Sequence, residues 1–184
     1  MSALTPVEPT QQSQFESPWS TGERAWRVLW EFCWGLFCVW TPKPANAWRL
    51  FWLRAFGARI YGTPFVHQRA RIEIPWKLTL HDRACLGDRA NAYSLGEIEI
   101  GARATIAQEV YLSTGSHDFT TTAMPLVTAK ITVGDDVFVG ARAFILPGVT
   151  IGPRAVIGAC SVVTRDVPAD VIAAGNPCRV LRSR

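Results

Sequence analysis

The sequence lacks long apolar runs, metal-ligand motifs and paired cysteine motifs, and each absence excludes a class of protein. The longest apolar run covers only residues 32–40, whereas a membrane-spanning helix needs roughly 20 apolar residues. The three histidines and five cysteines have neither CxxC nor zinc-ligand spacing, which argues against a bound metal and a disulfide framework. The first eighteen residues are polar and lack the basic start of a signal peptide. We therefore expect a cytoplasmic protein with reduced, mostly buried thiols.

Charge is also sparse, because only 18% of the residues are Asp, Glu, Lys or Arg, and the net charge is +4. No nucleic-acid-binding module is recognisable, so nucleic acid is not an expected partner. The last twenty residues nevertheless hold Arg165, Arg179, Arg182 and Arg184. This clustering favours either an anionic small ligand near the C-terminus or a solvated basic tail.

The most regular feature is a repeat between Val133 and Pro168, which consists of six blocks of six residues. Each block opens with Val or Ile, and glycine follows directly in four of them. No helix has a period of six, whereas a triangular coil of short strands does, with about 18 residues per turn. We expect the aliphatic residue to point inward and the glycine to occupy a corner with unusual backbone dihedrals. The pattern predicts a parallel β-helix.

The chain before the coil divides into an arm and a helical segment. Residues 1–18 contain three prolines and polar runs, and we interpret them as an extended or disordered arm. Ser20 and Glu23 then have the spacing of a capping box, which predicts a helix from about Gly22 to Trp40.

A second helix is expected from Asn46, as its N-cap, to about Phe56, with Gly57 as the residue that ends it. Seven of the eight tryptophans lie in residues 19–52, so the segment 19–57 is unusually aromatic. Three interpretations stay open for it: packing on the side of the coil or between subunits, a peripheral contact with a membrane interface, or one face for each.

The coil domain is expected over residues 58–184, with inward aliphatic residues six apart. The spacing fails between Leu112 and Val133, which are 21 positions apart. About 15 residues, roughly 116–130, are therefore expected to leave the coil as a loop. Solenoids place such insertions on one face, which is often the binding face.

His117 stands where the coil gives way to this loop. An imidazole titrates near neutral pH and can serve as a general base. No serine or cysteine has a nucleophile-elbow context, so a covalent intermediate is not implied. From the residues alone, a catalytic His117 and a hydrogen-bonding loop histidine remain open. His67 and His81 are interpreted as surface histidines.

Two sets of motifs carry a family resemblance. The hexads, the loop opening TGSHDF and the closing AAGNPCRVLR resemble the hexapeptide-repeat acyltransferases, whose fold is a left-handed parallel β-helix. The stretches NAWRLFWLRAFGARI, IPWKLTL and LSTGSHDF are most similar to the colanic acid biosynthesis acetyltransferases. The first resemblance covers residues 60–184 and the second extends it to about residue 15. It implies an all-β solenoid with an N-terminal helical segment and a short C-terminal tail or helix.

The resemblance implies transfer of acetyl from acetyl-CoA, a co-substrate, to a hydroxyl of a sugar or glycan in exopolysaccharide biosynthesis. The histidine that matches His117 is the general base in that family. Asn91 matches an asparagine that binds the acceptor in galactoside-type relatives, and Asp118 would bind acceptor hydroxyls or orient the imidazole. From the residues alone, Asn91 is equally a left-handed corner residue and Asp118 a turn former.

The family also suggests where CoA binds. Its pantetheine arm lies in a groove between neighbouring coils, beside small residues that match Gly140, Ala141, Gly158 and Ala159. The CoA phosphates need cations, for which the candidates are Arg165, Arg179 and Arg182. The resemblance implies a homotrimer in which each active site is shared between two subunits.

Other functions stay open at this point. One is an acetyltransferase for a soluble acceptor such as serine, maltose, a galactoside or an antibiotic. Another is an inactive β-helix scaffold. A metal site of the γ-carbonic anhydrase kind would need several histidines at matching coil positions, which are missing. The Trp-rich segment suits a lipid-linked acceptor at the inner membrane face.

Overall fold

The computed structural model describes residues 17–184, which form two helices followed by a parallel β-solenoid of about six turns. The predicted all-β solenoid is confirmed. Of the arm predicted for residues 1–18, residues 1–16 lie outside the part of the chain that the structure describes.

The coil has three sides, and each side is a parallel sheet whose strands are stacked one per turn. The first side contains β1 (Arg59–Ile60), β4 (Leu78–Leu80), β7 (Ile98–Ile100), β12 (Ile131–Val133) and β15 (Thr150–Ile151). The second side contains β2 (Phe65–Val66), β5 (Cys85–Leu86), β8 (Thr105–Ile106), β13 (Phe138–Val139), β16 (Val156–Ile157) and β18 (Val171–Ala174). The third side contains β3 (Arg71–Ile72), β6 (Asn91–Tyr93), β9 (Tyr111–Ser113), β14 (Phe144–Ile145) and β17 (Val162–Val163).

The aliphatic positions of the hexads point into the coil, as the repeat predicts. All six residues that open the blocks from Val133 onward are buried, and so are the matching positions of the earlier turns from Val66 onward, whereas Ile60 in the first turn is half-buried. Each stacks on its equivalent one turn away, as Ile106 does on Val139. Fully burying one such side chain stabilises the fold by about 1.5–3 kcal/mol, so these stacks form the core.

The explanation offered above for the hexad glycines is wrong. Gly140 does not have a positive φ, and the left-handed residue is Arg142, two positions later, with φ +59°. A Cβ on Gly140 would instead lie 2.6 Å from the backbone nitrogen of Ala159 on the next turn. Glycine is required there because adjacent turns approach closely.

Nine non-glycine corner residues, from Arg83 to Asp170, have φ between +54° and +60°. A left-handed residue costs roughly 1–2 kcal/mol. Several of these corner side chains form exposed ion pairs, such as Arg103 with Asp136 and Arg142 with Glu109. An exposed pair contributes only about 0–1 kcal/mol. The buried aliphatic stacks, rather than the ion pairs, must therefore offset most of the corner strain.

Helix α1 spans Thr21–Phe37, and Ser20 and Glu23 form the predicted capping box. A 3₁₀ turn (Lys43–Ala45) leads into α2 (Asn46–Ala55). The prediction that Asn46 is the N-cap is wrong, because its side chain binds the carbonyl of Pro64 and the N–H of Val66. The C-cap of α2 is Phe56 rather than the predicted Gly57, which follows it with φ +86°, the left-handed conformation common just after a helix.

The two helices cover the N-terminal end of the coil. The first turn has no turn below it, so its edge would expose unpaired backbone groups. The indole of Trp30 donates to the carbonyl of Ile72 at 2.7 Å, and that of Trp34 to Ala70 at 3.2 Å. Arg49 donates to Val66 at 2.8 Å. The interpretation that the Trp-rich segment packs on the coil is therefore confirmed for its inner face, at the end of the coil rather than along a side.

The C-terminal tail is a strand rather than a helix. Strand β19 (Arg179–Ser183) runs antiparallel to β18 and closes the second side. Strand β19 is the last strand of this sheet and lies at the opposite end of the solenoid from the helices.

The burial of the cysteines and of His67 and His81 agrees only in part with the sequence-based predictions. All five cysteines are free, and burial raises the pKa of Cys38 to about 12, but Cys160 is exposed. The prediction that His67 lies at the surface is wrong, because it is buried and burial lowers its pKa. His81 is half-buried and bonds to Glu99 at 3.0 Å.

Candidate active site

The coil is interrupted after β9 by a hairpin, at the point where the hexad spacing fails. Its strands are β10 (Gly115–His117) and β11 (Leu126–Thr128), which pair antiparallel with His117 opposite Leu126. The hairpin leaves the coil at the corner between the third side and the first side, and β12 resumes the regular turns. We call this corner the hairpin corner.

Thr114 anchors the base of the hairpin. Its side chain is buried, and its hydroxyl donates to the carbonyl of Tyr93 at 2.6 Å and accepts from the N–H of Gly96 at 2.8 Å. Its carbonyl accepts from the N–H of Ala129, where the second hairpin strand returns. Both ends of the hairpin are thus bound to one residue on the coil, which fixes where His117 lies.

The geometry of His117 defines its tautomer. The ring atom Nδ1 lies 2.8 Å from the carbonyl oxygen of Met124, and because a carbonyl can only accept, Nδ1 must carry the proton. In the neutral ring, Nε2 therefore has the free lone pair. The side chain is exposed, so this lone pair is accessible. A fixed imidazole with a free Nε2 is the arrangement that a general base requires.

The residue that orients the imidazole was not foreseen. Met124 has φ +39°, an unusual conformation for a residue other than glycine. It is the backbone carbonyl that acts, so no side-chain pattern in the sequence reveals it. Strained backbone of this kind is often found where a functional group is held in place.

Asp118 is engaged in a local turn. Its Oδ1 accepts hydrogen bonds from the hydroxyl of Thr120 at 2.6 Å and from the N–H of Thr120 at 2.9 Å. These bonds lower the pKa of the Asp118 carboxyl. The imidazole of His117 is therefore oriented by Met124 and not by Asp118. The second carboxylate oxygen leaves Asp118 able to accept from a further hydroxyl.

Asn91 lies at the start of β6 and is not a left-handed corner residue, so that interpretation is wrong. It is in register with Arg71 on the turn before and Tyr111 on the turn after. Its amide makes no hydrogen bond to any other residue within 17–184. Since Ala92 beside it points inward, the amide of Asn91 faces outward on the third side.

A row of aromatic rings on the third side was also missed. Tyr93 and Tyr111 lie 5.8 Å apart between ring centroids, and Tyr111 stacks on Phe144 at 4.9 Å and 5°. Burial raises the pKa of both tyrosines. Their sequence separation gave no signal, because a turn here is 20 residues long and Tyr93 is in register with Ser113, while Tyr111 is in register with Asn91.

The four small residues predicted to contact CoA share one corner. Gly140 and Ala141 follow β13, and Gly158 and Ala159 follow β16, so the two pairs are stacked between the second and third sides. We call this the small-residue corner. The close approach of the two turns already accounts for a glycine at position 140. Of the four residues at this corner, only Ala159 is exposed.

The structure brings two of the three predicted arginines together. Arg165 and Arg179 line a cavity of about 170 Å³, and Cys178 lines the same cavity. Arg182 does not line it and lies opposite Ile172 in the register of β18 and β19. Arg165 follows β17, two strands from β9 on the third side, so it lies roughly 10 Å along the coil from the start of the hairpin.

The candidate residues therefore lie at the two edges of the third side, except for Arg179 and Arg182, which belong to β19 on the second side. The hairpin corner carries His117 and Arg165, and the small-residue corner carries Gly140 and Ala159. One chain does not bring the two corners together. The residues within 17–184 contain no group of three or more His, Cys, Asp or Glu side chains able to hold a metal ion.

Comparison with known proteins gives consistent results. Residues 130–165 match the family model described as bacterial transferase hexapeptide (six repeats). The chain is 42% identical to the "Putative colanic acid biosynthesis acetyltransferase WcaF" of Escherichia coli K12, over 85% of this chain and 86% of that protein. It is also similar to the structure of a galactoside acetyltransferase in complex with coenzyme A, with a TM-score of 0.80 and 25% identity over 91% of this chain and 84% of that one.

A hexapeptide-repeat acetyltransferase from Vibrio cholerae, crystallised with acetyl-CoA, gives a further match. Its TM-score is 0.73 and its identity 25%, over 95% of both chains. The likeness to all three proteins extends over most of the chain.

Proposed function

This chain belongs to the bacterial hexapeptide-repeat acetyltransferases, in the group of WcaF, and we propose that it moves acetyl from acetyl-CoA to a hydroxyl of a sugar-containing acceptor in exopolysaccharide assembly. The protein is an acyltransferase with the left-handed β-helix fold of that family. The observation that carries the proposal is the fixed tautomer of His117, whose Nε2 is free and exposed.

The reaction we propose is a direct transfer. Nε2 of His117 takes the proton of the acceptor hydroxyl while its oxygen attacks the thioester carbonyl carbon. The tetrahedral intermediate collapses with cleavage of the C–S bond, and the proton passes from the imidazolium to the leaving CoA sulfur. The hydrogen bond from Nδ1–H to Met124 keeps the ring in place through both proton transfers. Backbone N–H groups near the hairpin corner would stabilise the oxyanion.

We infer that CoA is bound by Gly140, Ala141, Gly158 and Ala159 along its pantetheine arm. Arg165, Arg179 and Arg182 would hold its phosphates. The small residues and Arg165 lie at opposite edges of the third side, whereas Arg179 and Arg182 lie in β19 on the second side. A site that joins the small residues to His117 and Arg165 would therefore need two chains. A homotrimer packed by its coil sides would place the hairpin corner of one subunit beside the small-residue corner of the next.

The acceptor would lie against the outward face of the third side. Asn91 presents its amide there, and the rings of Tyr93 and Tyr111 lie on the next positions of the same face. Aromatic rings beside hydrogen-bonding amides suit a sugar, which has apolar CH faces and hydroxyl edges. Asp118 would contribute its free carboxylate oxygen to an acceptor hydroxyl.

A soluble sugar is the second candidate acceptor. It is favoured by the likeness to galactoside acetyltransferase and to a maltose O-acetyltransferase of Clostridium difficile, at a TM-score of 0.77. Both candidates share the chemistry at His117 and differ in the size and charge of the acceptor. A cytoplasmic location stays a prediction based on the free cysteines.

We expect thiol release from acetyl-CoA that depends on a sugar acceptor. The measurement is a thiol assay over a panel of free sugars, nucleotide sugars and oligosaccharide fragments, with mass spectrometry of the acetylated product. Turnover of nucleotide sugars or fragments alone would favour the polysaccharide role, and turnover of free galactosides or maltose the soluble one. Absence of both acetyl-CoA binding and turnover would contradict the proposal and leave an inactive β-helix.

A further inference from the structure

The outward surface of the two helices is apolar, and nothing in residues 17–184 covers it. Trp40 is 84% exposed and Phe32 is 63% exposed. We call the whole patch the aromatic face. It consists of the exposed side chains Val28, Leu29, Phe32, Leu36, Trp40, Trp48 and Phe51. A contiguous exposed patch of large apolar side chains marks an interaction surface.

Helix α1 is apolar on two opposite faces. Trp30, Cys33 and Trp34 are buried against the coil. Phe32 and Leu36, four residues apart, lie on the opposite face. An ordinary surface helix would carry charged residues there. The coil accounts for one apolar face only, so the other requires a different partner.

Basic residues surround the aromatic face. Residues 19–59 contain six Lys or Arg and two Asp or Glu. Arg24, Lys43 and Arg54 are exposed, and none of them forms an ion pair with another described residue. Trp and Phe flanked by Lys and Arg are typical of segments that lie in the interface of a bilayer with anionic lipids. A second copy of the same face would bring like charges together, which disfavours self-association there.

The position of the helices also fits a flat partner. They cover one end of the coil, and the sides are left for contacts between subunits. If the coils pair side by side, as the proposed function assumes, a threefold axis directs all the aromatic faces the same way. Three weak sites on one plane reinforce each other on a membrane. No helix in residues 17–184 is long and apolar enough to cross a bilayer.

We propose that the aromatic face binds the surface of an anionic phospholipid bilayer, with α1 lying in the plane of the interface. This holds the hairpin and the third side close to the membrane, where an acceptor carried on a lipid is found. A cavity of about 450 Å³ lies between α1 and the first turn of the coil, where Gly35 and Arg71 line it.

The test is flotation of the full chain with vesicles of phosphatidylcholine alone and of phosphatidylcholine with phosphatidylglycerol. The variant is Phe32→Gln, Leu36→Gln and Trp40→Gln combined, which alters exposed side chains only. The matched control is Leu181→Gln, because Leu181 is 65% exposed and lies at the other end of the coil. We expect the wild type and the control to float with the anionic vesicles, and the triple variant to bind at least about tenfold more weakly.

A second variant tests the charge. Arg24→Gln with Lys43→Gln leaves the apolar side chains intact and should weaken binding to the anionic vesicles while leaving binding to phosphatidylcholine unchanged. A wild type that does not float, or a triple variant that floats equally well, overturns the proposal. A triple variant whose mass in solution falls shows instead that the face joins copies of the chain. Acetyl transfer to a soluble sugar should be unchanged in all variants, so a failure of the catalytic proposal is detected separately.

Discussion

Replacing His117 with glutamine should lower kcat by about 10²–10⁴-fold, because general-base catalysis by a positioned side chain contributes that much. Glutamine is close to histidine in size and can still donate to the carbonyl of Met124, so the hairpin should keep its shape. It cannot take a proton at Nε2. The measurement is the steady-state rate of acceptor-dependent thiol release, with the affinity for CoA measured separately by calorimetry.

Two comparisons make this result specific. CoA affinity should be unchanged in His117→Gln, since the imidazole acts on the acceptor. His81→Gln serves as the matched control, because His81 is bonded to Glu99 on the first side and lies outside the hairpin. Full activity in His117→Gln would contradict the assignment.

Replacing Arg49 with leucine should destabilise the protein by about 3–5 kcal/mol. Its guanidinium is fully buried and has no carboxylate partner within the described residues. It donates to the carbonyls of Val66, Pro42 and Lys43 and to the hydroxyl of Thr41. Burial lowers the pKa of Arg49. Leucine fills part of the space and leaves these acceptors without donors.

Urea unfolding followed by tryptophan fluorescence measures this effect, since the helices hold most of the tryptophans. Arg54→Leu is the matched control on the same helix, because Arg54 is exposed and makes only a long contact to Gly62, 3.4 Å. A surface substitution of this kind changes stability by roughly 0.5 kcal/mol or less. Equal effects of the two substitutions would show that Arg49 does not tie the helices to the coil.

The coil could be predicted from sequence because its signal is repeated. Inward aliphatic residues such as Ile145, Ile151 and Ile157 recur every six residues, so each turn packs against its neighbours in the same way. The role of glycine could not be read in the same way. From the sequence alone, a glycine at position 140 fits either an unusual φ or a close approach of the next turn. Only the structure shows that close approach is the reason.

Elements that depend on contacts distant in sequence were predicted less well. Asn46 has the composition of a helix cap, yet it binds the edge of the first turn because those backbone groups have no other partner. His67 was predicted to lie at the surface from its corner position, yet its side chain is buried and its Nδ1 lies 3.2 Å from Asp88 on the next turn. The sequence indicated His117 through the failure of the repeat. Its partner Met124 acts through its backbone, which leaves no mark in the sequence.

Single-turnover mixing of the enzyme with acetyl-CoA tests direct transfer at His117 most directly. Direct attack by the acceptor hydroxyl leaves no acetyl group on the protein. We predict that acetyl-CoA alone gives no burst of thiol and no increase in protein mass, and that adding the acceptor releases thiol and acetylated acceptor together. A stoichiometric thiol burst without acceptor, with an acetyl group found on the protein by mass spectrometry, would contradict the account.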